Sequence, residues 1–279
     1  MDACFELVRL RVSSRAAGRV CFAPARFATP AANTLRGAFG YALRKTAPDE
    51  FESIFTPRAR GHFPSGLADR PRPFVFRSAH LDNATFEPGQ SLCFDVHLFE
   101  TRRPLIEVFT AALSEMGQRG IGPAAGRMEL TGIESTPLAL SLAAPPTAID
   151  SVTVEFLTPT ELKGDGGLVS EPLFPILFAR VRDRIATLQS LYGNKPFDFD
   201  FRAMGERAAA VRMTASSIRA VEAARRSSRT GQRHPLGGFT GSASYAGPLT
   251  EFVPWLEAAV FTGVGRQTTW GKGEIRVRR

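Results

Sequence analysis

Apolar residues in this chain change period in a fixed order, and that order leaves few folds open. Residues 4 to 12 (CFELVRLRV) alternate as a strand does, and residues 33 to 45 (NTLRGAFGYALRK) carry Leu35, Phe39 and Leu43 at helical spacing behind Asn33 as a cap. An irregular segment rich in Arg and Pro fills residues 46–73. PFVFRS (73–78) and SLCFDVHLF (91–99) then read as an antiparallel pair around NATFEPGQ. Pro104 opens a second helix with Leu105, Phe109, Ala112, Leu113 and Met116 on one face, and RMELTGIES follows as a strand. Strand, helix, strand, strand, helix, strand is the ferredoxin-like order.

The prolines of LAAPPTA (142–148) resist both helix and sheet and mark a boundary, dividing the chain into domains 1–146 and 147–279. Beyond it the theme recurs. SVTVEFLT (151–158) reads as a strand, and residues 171–192 as a helix with Phe174, Leu177, Phe178, Val181, Ile185 and Leu188 on one face. FDFDFR alternates strictly, GGFTGSASYA (237–246) is a glycine-bent strand, a short helix around 249–260 holds Pro254, and EIRVR closes as a strand. The stretch 203–230 reads equally as strand then loop or as one helix. The expected fold is α+β: two tandem ferredoxin-like domains with antiparallel sheets.

At 279 residues, 43% hydrophobic and 22% charged, the chain can build one large core or two domains. It has no apolar run approaching the roughly 18 residues of a membrane span and no signal pattern, so a cytoplasmic protein with no membrane partner is expected. Cys4, Cys21 and Cys93 are scattered without a CxxC pair, which suggests buried free thiols rather than disulfides or zinc. The net charge of +8 calls for an anionic partner, and of 35 Lys and Arg only Lys45, Lys163, Lys195 and Lys272 are lysine. Arginine forks onto phosphate and stacks on bases, which points to nucleic acid.

Near the end, GVGRQTTWGKGEIRV (263–277) sets Gly263, Gly265, Gly271 and Gly273 around Arg266 and Lys272. Such a stretch suits phosphate, yet it matches neither GxGxxG nor GxxxxGK[ST], and a tight hairpin satisfies the same pattern.

LRGAFGYALR (35–44), PSGLADRPRPFVFR (64–77), TPTELKGDG (158–166), SSRTGQRHPLGGFTG (227–241) and GVGRQTTWGKGEI (263–275) together resemble the CRISPR-associated precursor-RNA processing endoribonucleases of the RAMP superfamily, in the branch ending in a glycine-rich signature. The resemblance implies RNA held in a basic cleft and along the glycine-rich loop, and cleavage within a repeat without metal or cofactor. It implies CRISPR repeat RNA, precursor and mature, as partner, with other effector subunits as further partners. A non-catalytic RNA-binding subunit is the alternative.

Metal-free RNA cleavage needs the 2′-hydroxyl deprotonated, the phosphorane charge stabilised and the 5′-oxygen protonated. Helical steps turn Gly37, Tyr41 and Arg44 away from Leu35, Phe39 and Leu43, so Tyr41 should face outwards, and the resemblance makes Tyr41 and His62 the catalytic candidates. His80, His97 and His234 are the other histidines that could serve as base. His97 alternates away from Phe94, Val96 and Leu98. For RNA binding the candidates are Lys163, Arg229, Arg233, His234, Gly263, Gly265, Arg266, Gly271 and Lys272.

Overall fold

The computed structural model describes residues 3–22, 30–57, 70–122, 124–164, 166–222, 224–226 and 233–279. They fall into two compact bodies. One comprises Leu7–Leu138 with Thr269–Gly271; the other comprises Met1–Glu6, Ala139–Thr268 and Lys272–Arg279.

In the first body the chain runs β1 (Cys4–Ala16), β2 (Val20–Cys21), α1 (Ala31–Thr46), α2 (Pro48–Phe55), β3 (Phe74–Arg77), β4 (Thr85–Phe86), β5 (Ser91–Leu98), α3 (Ile106–Arg119) and β6 (Met128–Ser141). The four long strands stand in the order β3-β5-β1-β6, and β5 is antiparallel to both β1 and β3. Counting these strands one to four along the chain, the order is 2-3-1-4, the ferredoxin-like arrangement. The apolar stripe of α1 (Leu35, Phe39 and Leu43) and that of α3 (Phe109, Leu113 and Met116) bury against Leu10, Val12, Phe94 and Val96 of the sheet. Phe39 is the hub, with its ring 5.5, 5.7 and 5.1 Å from those of Phe74, Phe76 and Phe109. Aromatic pairs in this range add about 1 kcal/mol each beyond burial.

Asn33 does not cap α1. The helix begins two residues earlier, behind Pro30, and its first N–H, that of Ala31, donates to Asp82 Oδ1 at 2.7 Å. A carboxylate 51 residues away in sequence thus supplies the acceptor that helix starts favour.

The second body repeats the order: β7 (Ser151–Thr160), β8 (Lys163–Gly164), β9 (Gly167–Leu168), α4 (Phe174–Tyr192), α5 (Phe201–Ala208), β10 (Arg212–Ser216), β11 (Arg219–Val221), β12 (Ala224–Arg226), β13 (Arg233–Pro235), β14 (Gly238–Ala246), α6 (Val253–Thr262) and β15 (Ile275–Arg278). Its sheet order is β10-β14-β7-β15, with β11 also on β14, so the four repeat strands again stand 2-3-1-4. The predicted face of α4 is buried throughout. Pro254 lies in the first turn of α6, where its missing N–H costs nothing.

FDFDFR forms no strand. Asp200 caps α5 by accepting the Ala203 N–H at 2.9 Å, and the rings of Phe197, Phe199 and Phe201 lie 5.8, 5.3 and 6.3 Å from that of Trp255. The alternation there records an aromatic cluster rather than a pleat. The described residues of the ambiguous 203–230 stretch form the rest of α5 followed by the short strands β10, β11 and β12.

Candidate nucleic-acid interface

The glycine-rich stretch leaves α6 at Thr262 and returns to β7 through β15. Gly263, Gly265, Gly271 and Gly273 all have positive φ, between 69° and 86°. Val264, fully buried, donates its N–H to Gly273 O at 2.9 Å, while Arg266 N–H reaches Glu161 O at 3.0 Å and Gly273 N–H reaches Pro159 O at 3.1 Å. The loop is therefore stitched to the end of β7. A β-carbon at Gly265 would collide with the Glu161 carbonyl oxygen, and one at Gly273 with that of Val264. Internal closure demands these glycines, whatever lies outside the loop.

The two cations of the loop have different roles. Lys272 has no solvent exposure at all: Nζ donates to Glu161 Oε2 at 2.7 Å and to Gly237 O at 2.6 Å. This corrects the expectation that Lys272 offers its charge to phosphate, because the ammonium is turned inward and neutralised in place. Burial pushes its pKa below the usual lysine value, and the hydrogen bond it donates to Glu161 opposes that shift. Arg266 holds the other oxygen of the same carboxylate, Glu161 Oε1, yet its side chain is 56% exposed. It is the loop cation that can meet a ligand. Glu161, which organises both, sits in the quoted TPTELKGDG but carries no signal of its own; only the fold brings it to Lys272, 111 residues on.

Lys163 is exposed on the β8–β9 hairpin, paired in register with Leu168. Arg233 and His234 lie on β13, His234 opposite Arg225 of β12. Arg229 and His62 lie outside the described residues.

In the first body, Tyr41 is 51% exposed on the solvent face of α1, as helical spacing requires, with the Arg119 guanidinium 5.5 Å from its ring centroid. Arg36, from the buried side of the same helix, stacks over Phe55 at 4.6 Å and Trp270 at 5.7 Å. His97 is buried, in register between Arg9 and Val75, so it does not line an open surface. His80 is exposed and its Nε2 hydrogen-bonds the Cys93 carbonyl at 2.8 Å. The three cysteines are partly buried thiols that form no disulfide. No helix among the described residues is long and apolar enough to cross a membrane.

Two family models match the chain: AF_1859_N, an N-terminal domain, over residues 5–145, and the CRISPR-associated endoribonuclease Cas6 over residues 154–275. Comparison with curated protein sequences gives no match. Among solved structures the chain is similar to Thermus thermophilus Cas6 (TTHB231) in its product complex, at TM-score 0.62 and 18% identity over 98% of this chain and 100% of the other. It is also similar to the Cas6 (TTHA0078) product complex, at TM-score 0.60 and 15% identity over 98% and 100%. A third likeness is to a chain of a Cas6-RT-Cas1–Cas2 complex, at TM-score 0.59 and 10% identity, covering 98% of this chain and 46% of that one. Over residues 154–275 the chain matches the family of CRISPR-associated endoribonuclease Cas6, and its duplicated ferredoxin-like order is the fold it shares with the solved Cas6 structures.

Proposed function

We propose that the protein cuts CRISPR repeat RNA in precursor transcripts to release guide RNAs, without a metal ion. The 2′-oxygen at the cut site attacks the adjacent phosphorus, the bond to the 5′-oxygen breaks, and a 2′,3′-cyclic phosphate and a free 5′-hydroxyl result. The observation that carries this reading is Tyr41, a phenol half open to solvent on α1 with a guanidinium beside it. A phenol can give the leaving 5′-oxygen its proton, and Arg119 can stabilise charge on the phosphorane. His62 is proposed as the partner base. Arg266, Lys163, Arg229, Arg233 and His234 are proposed RNA contacts, with the glycine-rich loop as their scaffold. Other CRISPR proteins are proposed partners, following the Cas6-RT-Cas1–Cas2 assembly that one similar chain belongs to.

Labelled repeat RNA incubated with the protein in EDTA tests this directly. A cyclic-phosphate product that vanishes when the cut-site nucleotide is 2′-deoxy is expected. Cleavage of the deoxy substrate, or activity lost to EDTA, overturns the mechanism. Tight binding without any cut identifies a non-catalytic RNA-binding subunit instead.

A further inference from the structure

The second body contains a cavity of about 650 Å³ beside the β8–β9 hairpin, walled by Leu168, Val169, Ile218, Ala220 and Phe239 on its apolar side. The polar residues of the lining are Thr160, Glu161, Ser170, Glu171 and Ser216, with Gly237 and Gly238 beside them. No Lys, Arg or His is among the described lining residues, so a phosphate would find no cation inside. A flat group with an apolar face and hydrogen-bond donors on its edge suits these walls, and the volume lies in the range of small-ligand sites.

Two features tie the cavity to the cations outside it. Lys163 is the cross-strand partner of Leu168, and directly opposed residues send their side chains from the same face of a hairpin. A cation thus stands at the rim while the interior stays uncharged or acidic. Glu161 and Gly237, both in the lining, are also the two partners of buried Lys272, which therefore acts as a strut fixing the spacing between them. Both oxygens of Glu161 are taken by Lys272 and Arg266. Glu171, exposed at the rim, is the carboxylate left to meet a guest.

Resting on the proposed RNA-processing function, we infer that this cavity receives one unstacked guanine base of the RNA, with its phosphate at Lys163 and its edge read by Glu171. Guanine places N1–H and N2–H side by side, two donors matched to the two oxygens of a carboxylate, whereas uracil presents carbonyl oxygens that a carboxylate repels. Single-stranded RNA is recognised in this way, with bases splayed out and bonded along their Watson–Crick edges.

The test is titration of the full-length protein with GMP, AMP, CMP and UMP by calorimetry, with repeat-RNA cleavage assayed in parallel. GMP should bind at least about fivefold tighter than the other three, the low end of the discrimination a bidentate contact supplies. Glu171→Gln should remove that preference, and Glu171→Asp should restore part of it. Ser216→Trp and Ala220→Trp, both at exposed positions, should fill the cavity and abolish GMP binding while the fold, checked by circular dichroism, persists. Absent GMP binding, equal binding of all four nucleotides, or GMP binding unchanged in a folded Trp variant overturns the inference. The two readings fail separately: cleavage without a GMP site sinks the base pocket alone, and a GMP site without cleavage sinks the nuclease reading alone.

Discussion

The turn that follows α3 and the turn that follows α6 occupy the same place in the two repeats, and they begin alike. Gly120-Ile121-Gly122 follows α3 and Gly263-Val264-Gly265 follows α6, with positive φ at all four glycines and a buried aliphatic residue between each pair. Ile121 exchanges backbone hydrogen bonds of 2.9 and 3.0 Å with Gly126, and Val264 N–H donates to Gly273 at 2.9 Å. Gly126 and Gly273 each stand two residues before the closing strand, β6 or β15. What differs is the chain in between: residues 123–125 in the first turn, residues 266–272 in the second. The glycine pattern is therefore a requirement of the ferredoxin-like closure, met twice. The charge belongs to the insertion, where Arg266 is offered outward and Lys272 is locked inward.

Breaking the Glu161–Lys272 pair should have the largest effect, because only the second turn contains it. Glu161→Ala leaves a buried ammonium with the Gly237 carbonyl alone and should cost about 3–5 kcal/mol by urea titration, with most of it recovered in Glu161→Ala/Lys272→Met. Burial holds the Lys272 pKa below 10.5, so the cost of its charge is fully present below that lowered value and fades as pH climbs towards 10.5. Removing Glu161 takes away the partner that raises this pKa, so the Glu161→Ala deficit should shrink as pH rises over a lower window, because the ammonium of the variant deprotonates before that of the wild type. Wild-type stability in Glu161→Ala would refute the strut.

Next come the glycines shared by the two turns. At Gly120 and Gly265 an added β-carbon meets a backbone carbonyl, of Ala125 and Glu161, and φ is +96° and +80°. Alanine at either should destabilise by about 2 kcal/mol or more, to a similar degree in thermal melts. Gly37→Ala, on α1 with open space around it, should instead stabilise by up to about 1 kcal/mol. A Gly265 variant that melts normally but loses RNA would assign that glycine to the ligand rather than to closure.

Tyr41→Phe removes a hydroxyl from an exposed ring, so folding should be untouched while single-turnover cleavage falls roughly tenfold or more, the low end of acid–base catalysis. Equal rates would move the proton donor elsewhere. The smallest effect separates the two loop cations. Arg266→Ala should lower the slope of log affinity against log salt by about 0.7 for a single strand, whereas Lys272→Met should leave the slope unchanged. A slope change in Lys272→Met would mean that its ammonium reaches phosphate after all.

Local chemistry made much of this molecule legible. Period two and period 3.6 are properties of neighbouring residues, so the strand and helix order of the first repeat, the buried faces of α1, α3 and α4, and the outward turn of Tyr41 could all be read from spacing. So could the glycine-rich turn, since positive φ is a backbone demand that few residues other than glycine meet. Tertiary structure decided what depends on distant partners: that Asp82 rather than Asn33 serves the start of α1, that FDFDFR gathers around Trp255, and that Glu161 draws Lys272 into the interior. Whether a lysine in a glycine-rich loop is a surface charge or a buried strut is set by the carboxylate and carbonyl that the fold brings to its ammonium. Both lie far away in sequence, and the cost of burying a charge can be met only after they arrive.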